Sequence, residues 1–171
     1  AVTPNNGSHF VTLKMIEGFL AKEYVKVTNA GSMPQRIEAL RRGEVAGVSL
    51  MEPWISVAEK EGFRILMEAH STRAEAAGDD LDGPTLAAMF RAQARACEVL
   101  ANDPTPYIHY FVNETGGRLE AQDFRHQRLL HAPPQPYTKE RWDDTYNWTV
   151  GWDMTMANAS YEEIVDNRAF D

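Results

Sequence analysis

The sequence has one cysteine in 171 residues, Cys97, which excludes an intrachain disulfide. It holds no second cysteine, Cys/His set or HExxH pattern, so no zinc site is assigned. Cys97 lies beside Ala94, Leu100 and Ala101 in an apolar helical stretch and reads as a small packed hydrophobe. No run of 18 apolar residues exists, so no segment reads as a membrane span, and no signal-peptide pattern is present. Basic residues are in deficit, 17 against 25 acidic, for a formal net charge of −8. Their densest group is Arg41-Arg42, which argues against a nucleic-acid surface. A Walker loop, a Rossmann glycine motif and a kinase signature are all missing. Ser8 is not a nucleophile elbow, because no glycine stands two residues after it. No catalytic residue, cofactor or metal ligand is therefore assigned.

What is present is ordinary for a globular chain, with 43% hydrophobic and 25% charged residues. The two halves differ in pattern. In residues 1–70, short β-rich runs alternate with helical periods. The runs are Ala1–Thr3, Val25–Thr28, Ala46–Leu50 and Phe63–Met67. Between them, Ser8 is a candidate N-cap for a helix reaching Tyr24, and Ser32 with Gln35 forms a capping box for a helix ending at Gly43. Pro53 opens a third helix that stops at Gly62. This rhythm predicts an α/β fold: a three-layer lobe with a mainly parallel sheet. Residues 71–171 read as a mostly helical region. Asp82 caps a helix from Gly83 to about Ala101, Thr105-Pro106 opens a shorter one, and another short one lies around Leu119–Leu130. Thr138 caps a helix carrying Trp142, Tyr146 and Thr149 on one face, and Ser160 with Glu163 forms a second capping box.

In a parallel sheet, ligands sit beyond the carboxyl ends of the strands. Three loops would lie there. The first carries Asn6, Gly7, Ser8 and His9. Free N–H groups at a helix start favour an anion, and glycine permits close approach. An ordinary cap and turn is the competing reading. The second carries Ser32 and Met33, again a helix start. The third carries Glu52 and Trp54, where a carboxylate could accept from an amine and an indole could wall a pocket. Both could equally serve packing. His109, His126 and His131 lack the spacing of a metal site, since the last two are five residues apart.

Taken together, residues Gly31 to Val45, Ser49 to Trp54 and Ala58 to Phe63 resemble the second lobe of type II periplasmic solute-binding proteins of ABC importers. The nearest group is that for nitrate, taurine, sulfonates and thiamine-pyrimidine precursors. The resemblance implies that residues 1–70 form that lobe and residues 71–171 a helical return into the first lobe. It implies binding of a small organic solute without chemistry, in the periplasm, with an ABC permease as partner and no nucleic acid. A pyrimidine-precursor synthase-like enzyme using His9, or a truncated non-binding homologue, are the alternatives. An N-terminal lobe segment and an export signal seen in the family are missing from this chain, so association of copies through the uncovered surface is also expected.

Overall fold

A computed structural model describes every residue except 72, 76, 79, 156, 157 and 171. It corrects the α/β expectation. Among the described residues helix accounts for 50% and strand for none, so there is no parallel sheet and no three-layer lobe. The four β-rich runs form no ladder. Their backbone links are few: Val2 N–H donates to the Thr28 carbonyl (3.0 Å), Ser49 N–H to the Ala1 carbonyl (3.0 Å) and the Ala1 amino group to the Gly47 carbonyl. A strand needs a run of such bonds along a partner, and β-branched composition supplies only the extended backbone. Leu66 and Met67 in the last run are exposed.

The helices are α1 (Gly7–Ile16), α2 (Met33–Arg41), α3 (Trp54–Lys60), α4 (Gly83–Asn102), α5 (Ile108–Glu114), α6 (Lys139–Gly151) and α7 (Tyr161–Ile164). Single 3₁₀ turns lie at Lys22–Tyr24, Thr105–Tyr107, Ala121–Asp123 and His126–Leu129. The cap of α1 is Asn6 and not Ser8: the Asn6 side chain accepts from the N–H groups of Ser8 and His9. That helix stops well before Tyr24, because Gly18 adopts φ 86° and turns the chain. Gly31, also left-handed, leads into α2, and a Cβ there would lie 2.2 Å from Gln35 Oε1.

The chain divides into two compact units. One combines residues 1–71 with 105–129; the other combines 72–104 with 130–171. In the first, Ile37 of α2, Val57 and Ala58 of α3 and Ile108 of α5 pack with Leu119, Phe124 and Leu129. Burying such side chains stabilises by about 1.5–3 kcal/mol each before entropy is charged. In the second, Trp142 stacks on Tyr146 at 5.2 Å and meets Tyr137 and Tyr161 edge-on. The Tyr161 hydroxyl donates to the Tyr137 carbonyl at 2.7 Å, which satisfies the polar end of a packed ring. Phe90 of α4 stacks on Phe170 at 5.1 Å.

The start of α4 offers a simple check. Asp82 Oδ1 accepts from Thr85 N–H at 2.7 Å, and this bond draws the Asp82 carboxyl below its usual range. Asp82→Ala is expected to lower the stability of this helix, while Asp82→Asn, which keeps the acceptor, should lose much less. Urea denaturation of the two variants measures the difference.

Candidate functional site

Each helix start in residues 1–60 places polar groups through its own local chemistry. At α1, Asn6 Oδ1 accepts from Ser8 N–H (2.9 Å), Ser8 Oγ (2.8 Å) and His9 N–H (3.3 Å). Thr3 N–H donates to Ser8 Oγ at 3.3 Å, so the residue before the turn is tied to the helix it precedes. Gly7 is the first helical residue, and a Cβ there would meet nothing within 4 Å. At α2, Gln35 Oε1 accepts from Ser32 N–H (2.7 Å) and Ser32 Oγ (2.9 Å). Met33, the first residue of α2, is half-buried.

Arg36 joins these starts, and the sequence pattern did not single it out. It is 4% exposed. Its Nε donates to the Gly31 carbonyl (3.1 Å), its Nη1 to the Ser49 carbonyl (2.9 Å) and its Nη2 to Thr3 Oγ1. One guanidinium therefore collects the entry of all three expected loops. Every one of these acceptors is neutral. Among the described residues Arg36 forms no ion pair, and burial lowers its pKa. A buried cation is normally paired with an opposite charge. The available signal was position alone, one turn into a helix that starts with a capping box.

His9 is the second unusual group. It is 9% exposed, and its Nε2 has no hydrogen-bond partner. Its Nδ1 accepts from Asn5 N–H at 3.1 Å, which leaves the ring hydrogen on Nε2. Burial lowers the His9 pKa below its usual 6.5, so the ring is neutral at pH 7. The cluster of Thr3, Asn6, Ser8, His9, Ser32 and Arg36 thus carries no carboxylate.

The third loop is used differently. Glu52 Oε1 accepts from Ser56 Oγ (3.0 Å) and Oε2 from Ser56 N–H (3.2 Å), which caps the short α3. Oε1 also lies 3.4 Å from Arg128 Nη1. The Arg128 side chain is 4% exposed and pairs as well with Glu59 and, at 2.9 Å, with Glu68. The hydrogen bond to Arg128 draws the Glu68 carboxyl below its ordinary range, and Glu68 and Glu59 in turn hold Arg128 above its own. Trp54 donates Nε1–H to Glu114 Oε1 at 3.2 Å, and the Arg118 guanidinium lies 5.9 Å from its ring centre. Glu52 and Trp54 are therefore committed to contacts within the protein. Arg125 with Glu59 (2.7 Å) and Lys60 with Asp123 (2.7 Å) complete a belt that fastens residues 120–129 to α3.

Two surface recesses flank α2, with volumes of about 430 and 330 Å³. None of the eight expected residues lines either of them. Among the described residues no set of three or more His, Cys, Asp or Glu side chains could hold a metal ion, and no helix is long and apolar enough to cross a membrane. Compared with family models, curated proteins and solved structures, the chain matches none.

Proposed function

We propose that this chain binds a small oxyanion-bearing organic solute, a carboxylate or sulfonate, without chemistry, at the cluster around Arg36. The observation that carries the reading is a buried guanidinium with only neutral acceptors. It engages three of its five N–H donors in those bonds, and two remain. Guanidinium forks match the two-oxygen edge of such groups. The start of α1 adds its dipole. An amine-bearing ligand is disfavoured, because Glu52, the one acidic group among the eight expected residues, already serves Ser56 and Arg128. Hand-over to an ABC permease in the periplasm and association of copies rest on the sequence resemblance and belong to the same proposal.

Thermal shift at constant ionic strength tests it. Methanesulfonate and acetate should raise the melting temperature, and acetamide and methylammonium should not. A ligand at a hundredfold excess over its dissociation constant adds about 2.7 kcal/mol. Arg36→Lys keeps the charge and loses the fork, and should weaken anion binding roughly tenfold or more. Equal responses to methanesulfonate and acetamide, or an unchanged affinity in Arg36→Lys, would refute the site.

A further inference from the structure

We infer that His9 is an acid-sensitive latch on the Pro4–Gly7 turn, holding it closed while the ring is neutral and releasing it when the ring gains a proton. The inference concerns the turn itself and stands whether or not a solute binds.

The geometry is specific. Asn5 stands at φ 55°, in the left-handed region. Asparagine reaches that region more readily than most residues, but the conformation still needs support from its surroundings. The support is the bond from Asn5 N–H to His9 Nδ1, across four residues. That bond requires Nδ1 to be an acceptor. A proton added to the ring goes to Nδ1, because Nε2 already carries one. Nδ1–H would then face Asn5 N–H, donor against donor, and the bond must break. The second ring nitrogen offers no compensation, since the buried Nε2–H has no acceptor. A charged imidazolium at this depth would have neither a hydrogen-bond partner nor a counter-ion.

Burial is the one cause of the lowered His9 pKa, with no contribution from a charged neighbour. The nearest charge in the hydrogen-bond network is Arg36, reached through Thr3 and Ser8, and it is a cation. The unfolded or opened chain therefore binds the proton better, so the closed turn loses stability as pH falls below about 6.5. Opening would expose Thr3, the residue that ties α1 to Arg36.

The test is nuclear magnetic resonance on the whole chain. Long-range ¹H–¹⁵N spectra read the His9 tautomer and its titration, and amide exchange, normalised for intrinsic rate, reads protection at Asn5. The expected result is the Nε2–H tautomer near neutral pH and a loss of Asn5 protection as the pH drops below about 6.5. His9→Asn puts an acceptor that does not titrate near the position of Nδ1, and should keep Asn5 protected down to about pH 5. An Nδ1–H tautomer at neutral pH overturns the inference. So does protection that ignores the titration of His9, or an acid response that persists in His9→Asn. The wild-type titration decides the question even where the variant folds poorly. Loss of anion binding in the thermal-shift screen would leave it untouched.

Discussion

Replacing Arg128 by methionine is expected to destabilise the unit formed by residues 1–71 and 105–129 by about 3–5 kcal/mol. The reason is what the substitution leaves behind. Glu52 has a side chain only 7% exposed, and its remaining partners are the Ser56 hydroxyl and N–H. Without Arg128 it is a buried carboxylate without a cation. Glu59 and Glu68, at 25% and 39% exposure, can turn to water, so their share of the loss is small. This assigns most of the effect to one pair, and a cycle tests that assignment. Glu52→Gln on the Arg128→Met background removes the stranded charge and keeps an acceptor for Ser56. It should recover a large part of the loss. Urea denaturation followed by circular dichroism reads both steps. A double variant no more stable than Arg128→Met would show that the guanidinium acts mainly through Glu59 and Glu68.

The second large effect is expected at Leu119. It is 1% exposed and belongs to the apolar cluster of the same unit, with Ile37, Val57, Ile108, Phe124 and Leu129. Leu119→Ala removes the transfer energy of the lost methyl groups and leaves a void, a cost of about 2–5 kcal/mol. Leu119→Met, which nearly conserves volume, should cost less than about 1.5 kcal/mol. The contrast separates packing from any change in the unfolded chain. Equal losses would mean that the site collapses around alanine, or that the packing there is loose.

The helix starts were legible because capping is local chemistry. Ser32 with Gln35, Asp82, Thr138 and Ser160 with Glu163 all mark helix starts in the sequence and stand at helix starts in the structure. Ser8 was misplaced by two positions, since Asn6 competes for the same role and its Oδ1 reaches two N–H groups at once. The sheet was not legible in the same way. Val25–Thr28 is rich in β-branched residues and Ala46–Leu50 carries Val48, but pairing is a property of two segments, and sequence pattern reports one at a time. Where the candidate site is concerned, the two helix-start loops were legible as polar entries. Arg36 was not, because nothing in its own neighbourhood says that its head will be drawn to Thr3 and Ser49, 33 and 13 positions away. Glu52 and Trp54 were visible as residues, yet their partners Arg128 and Glu114 come from a segment about 60 to 76 positions later. A reading confined to one loop leaves a carboxylate or an indole looking available when a distant side chain has claimed it.

The division of the chain also sets an order of synthesis. The unit that carries Arg36 and His9 takes residues 105–129 from beyond an interposed stretch of 72–104. A nascent chain that has emerged only to residue 71 has α2 and α3 but lacks Ile108, Leu119, Phe124, Leu129 and the cation for Glu52. Its apolar face must wait on the ribosome, at about 5–20 residues per second, for several seconds before the rest arrives. For that interval residues 1–71 carry an apolar face that residues 105–129 later cover.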